Sequence, residues 1–140
     1  MIVRDIMHSA TIVEPEITVS EAAKLMRKKE IGSVLVKIHS KKWGMVTERD
    51  ILNKVVAEDI TPTKMAVKEI MTDLRCTIDA DSPLEDAGEI FAREKIRRLP
   101  VMETGKIVGI ITSRDVARRR TYTQYKKKVE YSRLSSKHIR

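Results

Sequence analysis

Two short polar constellations carry the chemistry that this sequence offers: Thr47-x-x-Asp50 and Thr112-x-x-Asp115. Each follows an apolar run and opens a helical pattern. A threonine hydroxyl at such a strand-to-helix turn can accept a backbone N–H of the first helical turn. An acid three residues on sits where the helix macrodipole favours negative charge. So read, the pair is a cap contributing about 1 kcal/mol, with no ligand. The same residues allow a second chemistry. The unpaired N–H groups of the turn form an anion site, and the hydroxyl beside them can bind a phosphate. An ionised aspartate can accept two hydrogen bonds from a vicinal diol, as on a ribose, at about 1.5–3 kcal/mol each. Apolar strands on both sides can wall a slot for a flat base. The residues alone leave both readings open.

The two constellations are parts of one internal repeat. Gly44-Met-Val-Thr-Glu-Arg-Asp-Ile51 returns 65 residues later as Gly109-Ile-Ile-Thr-Ser-Arg-Asp-Val116. With that shift, residues 19–51 lie over 84–116, and eight of the 33 pairs are identical. Upstream, Val3-x-x-Ile6-Met7 matches Val67-x-x-Ile70-Met71 with a shift of 64. Units of about 50–60 residues bury little apolar surface alone. The expectation is therefore two units sharing a core in one globule.

Each unit reads helix–strand–strand–helix. Thr18-Val-Ser-Glu21 is a capping-box pattern that predicts a helix to about Glu30, with Ala22, Leu25 and Met26 facing inward. Strands are predicted at 33–38 and 43–46, and a helix from Thr47 through Val55 and Val56 to about Asp59. Thr61-Pro62 marks a linker at 61–66. Ser82-Pro83-Leu84-Glu85 opens the second repeat's first helix. Strands follow at 98–102 and 107–111, around a hairpin turn at Glu103-Thr-Gly-Lys106. Pro100 inside a strand implies an edge or irregular position. The last helix starts at Thr112 and runs into the tail. There Val116, Arg119, Tyr122, Tyr125 (or Lys126) and Val129 approximate one stripe.

Charge separates the tail from the body. The chain carries +8, and residues 116–140 hold nine Lys/Arg against one acid, Glu130; the first 115 residues balance 19 bases with 19 acids. No apolar run approaches the 18 residues of a membrane span. The N-terminus lacks the apolar core of a signal peptide. One cysteine, Cys76, allows no intrachain disulfide, and these features together favour a cytoplasmic protein. Cys76 reads as a small strand residue and the seven methionines as core filler. His8, His39 and His138 have no metal-ligand spacing. There is no phosphate-binding Gly-x-x-x-x-Gly-Lys loop, nucleophile elbow or zincin motif, so the chain is expected to be non-catalytic.

The ordered set in both halves resembles the CBS (cystathionine β-synthase) domain, present as a tandem pair, the Bateman module. It comprises Val-x-x-Ile-Met, Thr-Val-Ser-Glu-Ala-Ala, Ile-Gly-Ser-Val-Leu-Val or Ile-Arg-Arg-Leu-Pro-Val, and Gly-(Met/Ile)-(Val/Ile)-Thr-x-Arg-Asp. The resemblance covers residues 1–118 and leaves out the tail. It implies an α+β fold: two units related by a pseudo-twofold axis at 1–60 and 67–118, each a small sheet packed with two helices, plus a basic helical extension at 119–140. It implies clefts between the units for adenosine ligands: AMP, ADP, ATP or S-adenosylmethionine. By the same resemblance, Asp50 and Asp115 hold ribose hydroxyls, and Thr47 and Thr112 lie near phosphate or ribose. Arg97 and Arg98 stand where similar proteins often place phosphate contacts, or are simply solvated at a strand start, and the first unit has Gly32-Ser33 there. Arg49 and Arg114 are further phosphate candidates or helix-surface salt bridges. Trp43 is packing or a cover over its own cleft. Such modules commonly pair, so a homodimer is expected, with an unidentified regulated protein as partner. The alternative is a nucleic-acid-binding protein that uses the basic, tyrosine-containing tail. Bases would neutralise phosphates and tyrosines stack on bases. An amphipathic tail helix packed on a dimer mate is the plainer explanation of the same residues.

Overall fold

The structure is a computed structural model that describes residues 1–137, with side chains at 121–126 and 134–137 left aside. Its elements, in order, are β1 (Ile12–Val13), α1 (Val19–Lys29), β2 (Ser33–His39), β3 (Lys42–Thr47), α2 (Glu48–Ile51), β4 (Thr72–Asp73), β5 (Ile78–Asp79), α3 (Leu84–Glu94), β6 (Arg98–Glu103), β7 (Lys106–Thr112) and α4 (Ser113–Lys137). They form two compact units. One is residues 10–76. The other joins residues 1–9 to 77–140.

Packing thus divides the chain differently from the sequence repeat, whose boundaries are 1–60 and 67–118. The chain leaves one unit after Ser9 and returns to it at Thr77. The 61–66 stretch, read as a linker, lies inside the unit of residues 10–76. Its Met65 carbonyl accepts the Val19 N–H at 2.8 Å, at the start of α1.

In the unit of residues 10–76 the sheet order is β1-β2-β3-β4. β1 runs parallel to β2, and the other pairs are antiparallel. α1 forms where the capping box predicts: Glu21 N–H donates to Thr18 Oγ1 at 3.0 Å, and Thr18 N–H donates to Glu21 Oε2 at 3.1 Å. Its Val19, Ala22 and Met26 pack with Val34, Val36, Val46, Val55 and Val67 in one buried cluster. Leu25 reaches only its margin. Fully burying a valine contributes about 1.5–3 kcal/mol, so this run of small apolar residues dominates the unit.

The helix after β3 differs from a regular one. α2 is α-helical for four residues and then widens to a π-helix over Leu52–Val56, with Ala57 N–H donating to Leu52 O. Asp59, at φ 55°, ends it in the left-handed region, near the predicted end.

In the other unit the sheet order is β5-β6-β7. Val3, Ile78, Ala87, Phe91, Leu99, Val101, Ile111 and Val116 are buried there. Pro100 lies in the middle strand, and its effect on pairing is local. In the first repeat, Leu35 N–H donates to Thr11 O, and the parallel ladder includes Ile12↔Leu35. In the second, the ladder begins only at Ile78↔Val101. A proline has no N–H to donate, so the rung before Val101 is missing. The β6–β7 turn is a two-residue loop with both Thr104 (φ 46°) and Gly105 (φ 76°) left-handed, the type I′ geometry. Cys76 lies outside any strand, half-buried between β4 and β5, contrary to its reading as a strand residue.

Each Val-x-x-Ile-Met motif begins as a single 3₁₀ turn, at Val3–Asp5 and Val67–Glu69. Each then pairs with the return strand of the hairpin in its unit. β4 adds to β3 through Met45↔Thr72, and His8 forms a bridge to Ile110 on β7. A glycine lies beneath each crossing. A Cβ at Gly109 would stand 2.8 Å from the His8 carbonyl oxygen and 2.7 Å from Met7 Sδ; at Gly44 it would collide with Met71. Arg4 anchors the front of the N-terminal segment. It donates to Glu103 at 2.8 Å and to Asp81 at 2.9 Å. Its hydrogen bond holds the Glu103 carboxyl below the usual carboxylate range.

α4 is one helix of 25 residues. Val116 is buried, and Lys127, Lys128, Tyr131 and Arg133 are exposed. The Tyr122, Tyr125 and Lys126 side chains of the predicted stripe, and His138, lie outside what is described.

Gly109→Ala is expected to cost about 1–3 kcal/mol, because a backbone oxygen cannot yield as a flexible side chain can. Urea unfolding of the whole chain measures it. Gly105→Ala meets no atom within 4 Å and should show only the backbone cost of a left-handed alanine, about 1 kcal/mol.

Candidate functional site

Thr47 and Thr112 end their strands and cap the helices that follow. Thr47 N–H donates to Asp50 Oδ2 at 2.9 Å, and Asp50 N–H donates back to Thr47 Oγ1 at 3.1 Å. Thr112 N–H donates to Asp115 Oδ2 at 3.0 Å, and Asp115 N–H donates to Thr112 Oγ1 at 3.1 Å. The capping reading is therefore realised in both copies.

The cap uses only one carboxylate oxygen. Asp50 Oδ1 lies 3.2 Å from Lys54 Nζ, and Asp115 Oδ1 lies 3.1 Å from His8 Nε2. The aspartate side chains are 15% and 16% exposed. Both are thus largely withdrawn from water, and each keeps one oxygen turned to a side-chain donor. Lys54 is itself tethered, donating to Ile70 O at 2.9 Å. His8 is fixed by its backbone: His8 N–H donates to Ile110 O at 2.8 Å, and Ile110 N–H donates to His8 O at 2.9 Å. At Asp115, desolvation pushes the carboxyl up. The hydrogen bonds from His8 and Thr112 outweigh it and leave the carboxyl below its usual range.

The arginine pair belongs to this second neighbourhood. Arg98 pairs with Thr112 across β6 and β7, and the Arg97 carbonyl accepts the Ser113 N–H at 2.9 Å. Arg97 is exposed and Arg98 half-buried. The matching places in the first repeat are Ser33 opposite Thr47, and Gly32, whose carbonyl accepts the Glu48 N–H at 3.1 Å. Arg49 and Arg114 lie exposed on the first turns of α2 and α4, and neither has an ion-pair partner among the described residues. Trp43 is half-buried on β3 under Lys37, whose Nζ stands 5.7 Å from the ring centre. The structure thus brings Thr112, Asp115, Arg97 and Arg98 together in one unit, and Thr47 and Asp50 in the other.

Two residues at these sites escaped the sequence reading. Lys54 could have been found, since an acid and a lysine at i, i+4 face each other on a helix. His8 left no local signal. Its place depends on the N-terminal segment joining β7. No group of three or more His, Cys, Asp or Glu among the described residues is arranged to hold a metal ion. Among them, too, no helix is long and apolar enough to cross a membrane.

Comparison with known proteins follows the repeat. The CBS domain family matches twice, over residues 3–57 and 67–122. Hypoxic response protein 1 of Mycobacterium tuberculosis is 31% identical over 121 residues, covering 82% of each chain. The uncharacterized protein MK0525 of Methanopyrus kandleri is 35% identical over 104 residues, 73% of this chain; the aligned region spans about half (53%) of that longer relative. Among solved structures, a hexameric CBS-CP12 protein from bloom-forming cyanobacteria superposes with a TM-score of 0.80 at 28% identity, covering 99% of this chain and 82% of that one.

Asp115 also sets a pH dependence. Its folded pKa is depressed, so its stabilisation is fully present above the unfolded carboxylate value of about 3.9. It is lost as pH falls through the lower folded value. Asp115→Asn should therefore lower stability by about 1 kcal/mol at pH 7, the scale of a helix cap. Its deficit against wild type should shrink at and below pH 4. Thermal unfolding of both proteins across pH 2.5–7 reads this directly.

Proposed function

The chain belongs to the CBS-domain family, and from that membership we propose that it is a non-catalytic module that binds an adenosine-containing nucleotide and signals its presence to a partner protein. Tandem CBS pairs are generally regulatory modules. The observation that carries the reading is the state of the two aspartates. Each spends one oxygen on a cap and keeps the other, sheltered from water, against a donor that a ligand can displace. A vicinal diol needs such an acceptor. Asp50 and Asp115 take the ribose hydroxyls, and Thr47 and Thr112 lie beside them. Arg97 and Arg98 favour phosphate at the second site, with Arg49 and Arg114 as further cations. AMP, ADP, ATP and S-adenosylmethionine all meet this description.

Binding would be signalled through stability. A ligand that binds only one arrangement stabilises it by about 2.7 kcal/mol at a concentration 100 times Kd. Calorimetry with AMP, ATP and S-adenosylmethionine on wild type, Asp50→Ala and Asp115→Ala is the test. At least one ligand should bind wild type, and the aspartate variants should weaken it by roughly tenfold or more, one charge-assisted hydrogen bond. No binding by any of the three rejects the reading. If the variants lose only the cap's stability, the aspartates are caps alone.

Self-association belongs to the same reading. Leu52 and Val56, one turn apart after Asp50, are 57% and 61% exposed. Burying two such side chains contributes about 1.5–3 kcal/mol each, which favours a second copy as their cover. Light scattering should show a dimer or larger assembly for wild type and a smaller species for Leu52→Glu with Val56→Glu.

A further inference from the structure

The second oxygens of the two aspartates are held by partners of different reach. Lys54 lies one turn along from Asp50 and has other acceptors close by: Ile70 O at 2.9 Å and Thr72 Oγ1 at 3.5 Å. It can give up Asp50 and stay where it is. His8 comes from the N-terminal segment, and among the described residues its imidazole has no other acceptor than Asp115. The ring is 62% exposed, so water can receive it. Asp115 is not: its side chain is 16% exposed, and its second oxygen is covered by the ring 3.1 Å away.

We propose that a diol ligand at the Asp115 site must displace the His8 imidazole, and so binding there loosens the end of the N-terminal segment, whereas binding at Asp50 does not. The proposal rests on the reading of Asp115 as a diol acceptor. Its reach follows from how the segment is held. Arg4 fastens the front to Asp81 and Glu103, and Val3 N–H donates to Ser82 O. None of these touches Asp115. The rear is fastened by the imidazole and by the two backbone bonds between His8 and Ile110, over Gly109. Losing the imidazole bond weakens only that rear rung. Ser9, the next residue, is the last before the chain passes to the unit of residues 10–76. The ligand's effect is thus delivered at the crossing point of the chain. The first site, with its partner on its own helix, binds without such an effect.

Amide hydrogen exchange by NMR on the full-length chain tests this, with AMP and ATP as probes and their 2′,3′-dideoxy forms as controls. Nucleotide should speed exchange at the His8 and Ile110 amides severalfold and leave Val3 and Arg4 unchanged. The dideoxy forms, which lack the diol, should change none of them. His8→Ala should exchange fast at Ile110 without ligand. It should bind nucleotide at the Asp115 site about two- to fivefold more tightly than wild type, the value of a solvent-exposed pair. His8→Gln, which keeps a neutral donor, should fall between. Nucleotide that binds in an Asp115-dependent way with unchanged or slower exchange at both amides, or with equal affinity in His8→Ala, overturns the proposal and leaves the nucleotide reading standing. Absence of binding by wild type and both His8 variants removes the nucleotide reading and the proposal together.

Discussion

The close approach of a Val-x-x-Ile-Met segment to the backbone of a hairpin strand is the constraint on which the rest of each unit depends. A Cβ at the strand position beneath it meets the segment's own atoms: the Met71 side chain over Gly44, and the unyielding His8 backbone oxygen as well as Met7 over Gly109. Where the segment lies down, β4 extends one sheet, and His8 adds a rung to the other. Val3 and Val67, on the same segments, are fully buried. The pairing also decides what reaches the aspartates: His8, directly after Met7, meets Asp115, and Thr72, directly after Met71, lies 3.5 Å from the Lys54 that meets Asp50.

The aspartates show how one local device can serve two ends. A capping box needs one carboxylate oxygen. The second oxygen is spare from the helix's standpoint, yet the fold keeps it sheltered and opposite a donor. An isolated cap on a surface helix has no need of that shelter. Stability therefore explains the Thr-x-x-Asp spacing. It does not by itself explain the burial.

What was legible in the sequence was what is decided locally. The Thr18–Glu21 box depends on a spacing of three. The turn at Thr104-Gly105 depends on left-handed backbone that glycine adopts freely. The Thr-x-x-Asp caps also lie within one turn of helix, and shared spacing was enough to align the copies. Less local features were lost. Pro100 announces an interrupted ladder, but only the late start of β5 lets a proline sit in a middle strand. The π-helix at Leu52–Val56 leaves no mark in a pattern of apolar residues, because widening a helix by one residue shifts side chains without changing their type. The pairing of His8 with β7 leaves no mark, since a repeat records similarity in sequence and not which strands pair.

The inequality of the two copies follows from that pairing more than from the residues flanking the motifs. Arg97 and Arg98 mark the second copy openly, and Gly32-Ser33 the first. Those differences set the charge around each motif. The difference between Lys54 and His8 alters what the site is connected to. A lysine on the same helix also donates to the Ile70 carbonyl and the Thr72 hydroxyl, so its place does not depend on its carboxylate alone. A histidine on a segment fastened elsewhere has only its own rung to lose. Two nearly identical motifs therefore meet partners from different parts of the chain, and chain topology decides which.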